Sequence, residues 1–296
     1  MVYFVTGATG FFGRHVVAAL RATDPGALIR CLVRRQGVAL AAANIEAVVG
    51  DLHDEAALQR GLTGCEAVLH LAGATYAKDP SVYTRVNEEG TAKVVAAAER
   101  AGVGRFVFAS SRAASGKSCG AYGASKQRAE EMIRQSRLPY VILRFAEIYG
   151  PDAPGGIATL VRMVRWTPLV PILRGGELAP VAIADAVSVV LASLMAKGVE
   201  GKTYTIAGPR SYSVEECVQT IAEVLRVRRL CVPIPAGLLR IGLTAGRWIG
   251  LNGVVGEQVE RLLCKKETDI ERAVQDLGFR PLSFSEYLPR LYQQTC

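Results

Sequence analysis

The chain has 296 residues, half of them apolar, with 35 Lys and Arg against 27 Asp and Glu, giving a net charge of +8. That length and apolar content suit one sheet-based domain with a smaller lobe and exclude a disordered or low-complexity chain. The basic residues are scattered without a recognition helix, which argues against nucleic acid. The seven cysteines show no metal-ligand spacing, so no metal is expected, and an odd count without a signal peptide fits a reducing cytoplasm.

In chain order, Val2 to Val5 is apolar and rich in β-branched and aromatic residues, which predicts a buried parallel strand. Gly7, Gly10 and Gly13 follow, and His15 to Arg21 predicts a helix. Strand, glycine turn and helix form the setting in which backbone N–H groups cradle a dinucleotide pyrophosphate. Gly7, Thr9, Gly10, Phe11, Phe12, Gly13 and Arg14 are the expected contacts of that turn. Leu28 to Val33 predicts the second strand. It ends in Arg34 and Arg35, where an enzyme using NAD usually places an acid. A guanidinium there suits the extra phosphate of NADP(H), so NADP is expected ahead of NAD.

A third strand, Ile45 to Val49, leads into Gly50-Asp51-Leu52, and Ala67 to Ala72 predicts a fourth. Leu71, Ala72 and Gly73 at its end are small or apolar and suit a backbone lying against a cofactor, and His70 reads as a structural strand-end residue. Asn87 opens a helix that runs to Arg100, and Arg105 to Ala109 is the fifth strand, followed by Ser110 and Ser111. Ligands of open parallel sheets bind beyond the carboxyl ends of the strands, so these hydroxyls stand at the correct edge. Tyr122 and Lys126 are four residues apart on one predicted helix face running to Gln135. A phenol can donate a proton to a carbonyl oxygen, and a nearby ammonium makes its phenolate accessible.

The glycine turn has the spacing T-G-x-x-G-x-x-G. With the serine-bearing strand Phe106 to Ser111 and the Tyr122/Lys126 pair, it resembles the extended and atypical short-chain dehydrogenases/reductases. The resemblance implies an α/β fold, a doubly wound parallel Rossmann sheet with a smaller C-terminal substrate-binding lobe. It also implies roles: Ser111 (with Ser110 as the alternative) steadying the substrate oxygen, Tyr122 passing the proton and Lys126 bonding the nicotinamide ribose. Asp51 would contact the adenine, Phe145 and Ile148 would line the nicotinamide, and Asn87 would be structural. The matching segment is Leu143-Arg144-Phe145-Ala146-Glu147-Ile148-Tyr149-Gly150-Pro151 after the strand Tyr140 to Phe145.

Two departures bear on the substrate. The connection from Ser111 to Tyr122 is short, as in atypical members such as the dehydrogenase-like accessory subunit of respiratory complex I and its bacterial relatives. Glu147 replaces the family's Asn, and Leu178-Ala179-Pro180 stands where sugar-nucleotide enzymes carry an Arg. Both changes disfavour a substrate diphosphate, with Arg162, Arg165 or Arg174 as compensating cations. Glu147 itself reads equally as a substrate contact or a surface carboxylate.

Residues 1–150 read as the dinucleotide-binding core and 151–296 as mainly the substrate lobe, with about 180–208 returning to the core. Helices are expected over Ile157 to Val164, Asp185 to Ala196, Ser213 to Val224 and Thr268 to Leu277, and a strand over Thr203 to Ala207. Residues 232–255 are apolar apart from Arg240 and Arg247 and broken by Pro and Gly, which argues against a spanning helix. The stretch reads as a pocket wall, with a homodimer contact and a peripheral membrane surface as the other options. The expected function is NADP(H)-dependent interconversion of a small-molecule carbonyl and a secondary alcohol. The alternatives are an epimerase, dehydratase or ketoreductase acting on a nucleotide sugar, and a non-catalytic NADP-binding protein.

Overall fold

The computed structural model describes residues 1–35, 43–116, 119–234 and 254–292. Strands β1 (Val2–Thr6), β2 (Leu28–Val33), β3 (Ile45–Val49), β4 (Ala67–His70), β5 (Arg105–Ser111) and β6 (Tyr140–Phe145) enter one sheet, joined by a strand from late in the chain. Two short strands of the lobe, β7 (Ile148–Tyr149) and β10 (Val181–Ala182), pair in parallel beside it. The late strand, β11 (Lys202–Ile206), bonds to β6, giving seven parallel strands in the order β11-β6-β5-β4-β1-β2-β3. The order reverses between β1 and β4, and that crevice is where an open parallel sheet takes a ligand.

Both faces of the sheet are covered, as its near-continuous apolar strands require. On one side Tyr3 and Val5 meet α1 (Phe11–Thr23) and α7 (Ile183–Met195). On the other, Phe4, Phe106 and Phe108 meet α2 (Glu55–Leu62), α4 (Gly90–Ala101) and α5 (Gly120–Gln135). Each such aromatic, fully removed from water, contributes about 1.5–3 kcal/mol. Before α4 the chain passes through a short helix α3 (Ser81–Tyr83) and a π-helical turn, Thr84–Glu89.

The lobe has its own core between α6 (Gly156–Trp166), α8 (Val214–Val224) and α11 (Phe284–Tyr292), with Tyr149 and Phe284 packed edge to face. Strands β8 (Leu169–Leu173) and β13 (Leu230–Ile234) pair in parallel, and β9 (Glu177–Leu178) pairs antiparallel with β12 (Tyr212–Ser213). Ser213 and Glu216 form the capping box expected of α8. The final helices are α9 (Val254–Leu263) and α10 (Glu271–Leu277). The latter starts three residues later than the Thr268 expected from pattern, at an N-cap, Ile270, that offers no side-chain acceptor. Of the apolar stretch 232–255, residues 232–234 belong to β13 and 254–255 open α9, and the rest lies outside the described residues. Among the described residues no helix is long and apolar enough to cross a membrane.

Candidate active site

The glycine turn is folded too tightly for side chains at two of its positions. Gly7 holds a φ of +74°, and a Cβ on it would meet the Ala72 nitrogen at 2.6 Å. A Cβ on Gly13 would run into the Gly7 carbonyl oxygen, so only glycine lets α1 sit this close to β1. Gly10 caps α1 without a side-chain acceptor, and the first turn contains no acid. Its N–H groups therefore point at the crevice with no side chain to satisfy them. Thr9 and Gly10 are exposed at the rim, Phe11 and Phe12 half-buried behind them. The Phe12 ring packs edge to face on Phe145, with centroids 4.9 Å apart, which brings the β6 end to the turn.

The cations foreseen near the cofactor's far end are exposed. Arg34 and Arg35 follow β2 and are exposed, and Arg14 makes a loose pair with Asp152 at 3.7 Å. Asp51 accepts from the His53 N–H (2.8 Å), which fixes its turn, and Leu52 is buried against Gly90. Past the end of β4, the position of a Gly73 Cβ lies 3.1 Å from Lys126 Nζ, so the loop at Gly73 runs directly over that ammonium. Asn87, in the π-helical turn, holds the same loop: its amide accepts from Ala74 N–H (2.8 Å) and donates to the Ala74 carbonyl (3.0 Å) and to Ser125 Oγ (3.0 Å). Such turns commonly mark functional positions. His70 is fully buried between Thr6 (2.7 Å) and Thr91 (2.9 Å), and burial pulls its pKa down to about 3. It is therefore a neutral tie inside the sheet.

Helix α5 starts two residues ahead of the expected Tyr122, which places Tyr122 in its first turn, only 6% exposed. The Ser111 hydroxyl comes within hydrogen-bonding reach of the Tyr122 phenol. Ser110 faces the other way and donates to the buried Glu130 (2.5 Å), which also holds Arg144. The strand's alternation thus separates the two candidates, with Ser111 on the cleft side. Burial raises the Tyr122 pKa, opposed by the Arg261 charge and by Ser111. Lys126 is buried one turn on, where its Nζ donates to the Ala109 carbonyl (2.8 Å) and lies 4.6 Å from the Phe108 ring centroid. Burial pulls its pKa down to about 8, with Glu130 opposing.

A family model described as NAD(P)H-binding matches residues 7–164, the stretch that contains the turn, Ser111, Tyr122 and Lys126. The ceramide reductase of Caulobacter vibrioides is 32% identical over 254 residues, 84% of this chain and 79% of that protein. The chain belongs to the NAD(P)-binding short-chain dehydrogenases/reductases. A second relative in that family, the (4-alkanoyl-5-oxo-2,5-dihydrofuran-3-yl)methyl phosphate reductase of Streptomyces griseus, is 31% identical, covering 75% of this chain and 73% of its own. The dTDP-glucose 4,6-dehydratase DesIV of Streptomyces venezuelae, solved with NAD and TYD, superposes with a TM-score of 0.80 over 99% of this chain and 96% of its own, at 22% identity. That last likeness speaks for the fold. The relatives of this dehydrogenase/reductase are named reductases and epimerases, so an NAD(P)-dependent oxidoreductase or epimerase is supported.

Three features of this family member lie outside what the sequence alone conveys. Glu147 is not a free surface carboxylate: Arg112 (3.1 Å), Lys266 (3.6 Å) and the Ala179 N–H (3.1 Å) engage both its oxygens. Burial alone would raise its pKa, but Arg112 and Lys266 hold it below the ordinary carboxylate value. Arg162, Arg165 and Arg174 are exposed on the lobe; the cations that meet Glu147 are Arg112 and Lys266. Second, α9 delivers Glu257 to the start of α5, where its carboxylate accepts from the Ala121 (3.1 Å) and Tyr122 (2.7 Å) N–H groups. Third, Cys119 and Cys264 form a disulfide across 145 residues of sequence, tying α5 to the end of α9. No local spacing announces that bond. Among the described residues, no group of three His, Cys, Asp or Glu could hold a metal ion.

Proposed function

We propose that the chain is an NADP(H)-dependent reductase that interconverts a carbonyl and a secondary alcohol, with Tyr122 as proton donor and acceptor. The observation that carries this reading is the buried Tyr122 phenol beside Ser111, at the carboxyl edge of the sheet that also bears the open glycine cradle. The residues present fit a dinucleotide: Gly7 and Gly13 let the turn pack tightly between the end of β4 and α1, and α1 offers N–H groups that no side chain takes up. Gly7, Thr9, Gly10, Phe11, Phe12 and Gly13 would hold the pyrophosphate, Asp51 and Leu52 the adenine end, and Leu71, Ala72, Gly73, Phe145 and Ile148 the nicotinamide end. When bound, the nicotinamide supplies or accepts the hydride.

Ser111 would steady the carbonyl oxygen as charge grows on it, and Tyr122 would pass it the proton. Lys126, under Gly73, would hold the ribose and favour the phenolate. Arg34 and Arg35 support NADP over NAD, because exposed guanidiniums at the end of β2 suit a 2′-phosphate, and Arg14, loosely paired with Asp152, would add to them. The substrate class favoured is a carbonyl on a largely apolar molecule. Two relatives are named for a ceramide and for an alkanoyl compound, and the family's diphosphate-binding Arg is replaced here by the buried Leu178-Ala179-Pro180 segment. Cofactor binding without turnover is the second reading. In its favour, Lys126 Nζ is directed at the Ala109 carbonyl in this structure.

The test is NADPH consumption against a panel of long-chain ketones, followed by absorbance of the reduced nicotinamide. Tyr122→Phe is expected to lower kcat by about 10²–10⁴-fold with KM little changed, and NADPH should bind more tightly than NADH. Unchanged turnover in Tyr122→Phe overturns the proton-donor role.

A further inference from the structure

Helix α9 brings a cation to the site that the Ser-Tyr-Lys pattern does not include. The Arg261 guanidinium lies 5.0 Å from the Tyr122 ring centroid and 5.2 Å from that of Tyr76, between the two phenols. Its one hydrogen bond to main chain among the described residues is Nη1 to the Thr75 carbonyl at 3.3 Å. Among the described residues, no carboxylate lies within ion-pair distance of it. The residues outside the described stretches contain no Asp or Glu. A part-buried guanidinium without a carboxylate partner is costly to hold in a fold, and here it is spent facing the phenol at the centre of the site.

We infer that Arg261 is a positioning residue for Tyr122, whose fixed charge sets the proton affinity of that phenol. This rests on the role proposed for Tyr122. The groups that face Tyr122 come from several elements. Ser111 approaches from β5, Tyr83 from α3 with ring centroids 5.8 Å apart, Tyr76 from the loop after β4, and Lys126 from the next turn of α5. Glu257 from α9 is bound to the Tyr122 N–H. Of the two cations, Lys126 is the weaker support at alkaline pH, since burial brings its pKa to about 8. A guanidinium keeps its charge throughout that range. A cation within about 4–6 Å of an acid lowers its pKa by roughly 1–3 units. Arg261 therefore offsets the rise that burial imposes on Tyr122.

Helix α9 is held in register for this task. The Cys119–Cys264 bond joins the N-cap of α5 to the residue just past α9, and Glu257 clamps the first turn of α5. Lys266 Nζ donates to the Arg261 carbonyl at 2.7 Å, which ties the end of α9 to the Glu147 cluster.

The experiment titrates Tyr122 directly, without turnover. Protein with carbon-13 at tyrosine Cζ and excess NADP⁺ is followed by NMR as pH rises, and Tyr122→Phe identifies the resonance. The Tyr122 midpoint is expected to rise by about 1–2 units in Arg261→Met and to stay near the wild-type value in Arg261→Lys. Arg261→Gln, which keeps polarity but not charge, should follow Arg261→Met and serves in its place if that variant does not fold. Equal midpoints in wild type and the neutral variants overturn the inference. So does Arg261→Lys moving as far as Arg261→Met. A shifted midpoint in a protein that turns over no carbonyl would sink the reductase reading and leave the charge coupling intact.

Discussion

Two helix N-termini meet the same cleft and are treated in opposite ways. Helix α1 begins at Gly10 with no side-chain acceptor and no acid in its first turn. Helix α5 begins at a Gly120 whose φ is +74°, and the place of its missing Cβ is taken by the Glu257 carboxylate, which satisfies the next two N–H groups. Unpaired N–H groups and a helix dipole together make an anion site. An end already holding a carboxylate has used that capacity. The open end is thus available to a phosphate, and the closed end serves to hold Tyr122 still. The same motif is left open or closed according to whether the chain's own acid reaches it.

That contrast can be broken at either end. Gly13→Val drives a side chain into the Gly7 carbonyl and closes the cradle. NADPH affinity, followed by nucleotide fluorescence, is expected to fall at least about a hundredfold, about 2.7 kcal/mol, and an unchanged affinity would remove the cradle from the site. Glu257→Ala strikes the closed end. Two N–H groups at the start of α5 lose their acceptor, so urea unfolding should show a loss of about 1–3 kcal/mol. NADPH affinity should move by less than about threefold. A large loss of affinity there would mean that the two ends are not independent. The smallest effect is the most diagnostic. Gly10 has an ordinary φ of −74°, and Gly10→Asp supplies the cap that α1 lacks. The unliganded protein is expected to gain up to about 1 kcal/mol while NADPH affinity drops about tenfold. Loss of both stability and affinity would show that the end is crowded and was never an open anion site.

The site's pH response follows from burial and has a definite sign. His70 is kept neutral in the fold, with its pKa at about 3, whereas the unfolded chain takes up a proton near its ordinary value of about 6.5. The folded state therefore loses stability as pH falls below about 6.5, until about 3 is reached. Lys126 runs the same way in a higher window: its folded pKa of about 8 lies below the unfolded value of about 10.4, so stability is gained as pH rises through that range.

Much of the first half was legible in sequence because local patterns carry it. Apolar β-branched runs specify strands buried on both faces, and the glycines at 10 and 13 are demanded by contacts within a few residues of chain, while Gly7 is legible from the turn pattern although its tight contact is with distant Ala72. The four-residue spacing of Tyr122 and Lys126 places both on one helix face before any tertiary contact is known. A choice between Ser110 and Ser111 was harder, since alternation assigns them to opposite faces but only the neighbours say which face is the cleft. Ser110 turned out to hold Glu130.

The long-range partners had no sequence signal. Glu257, Arg261 and Cys264 sit more than 130 residues from the residues they contact at the start of α5, and Arg112 and Lys266 converge on Glu147 from distant segments. The sequence by itself determined the sheet, the cradle and the hydroxyl-phenol-ammonium spacing, because periodicity and glycine sterics act over short stretches of chain. Only the tertiary structure decided which charges face the phenol and which helix end stays open. Electrostatic interactions depend on distance through space, and nothing in residue type or spacing records which remote groups the packed lobe will bring near.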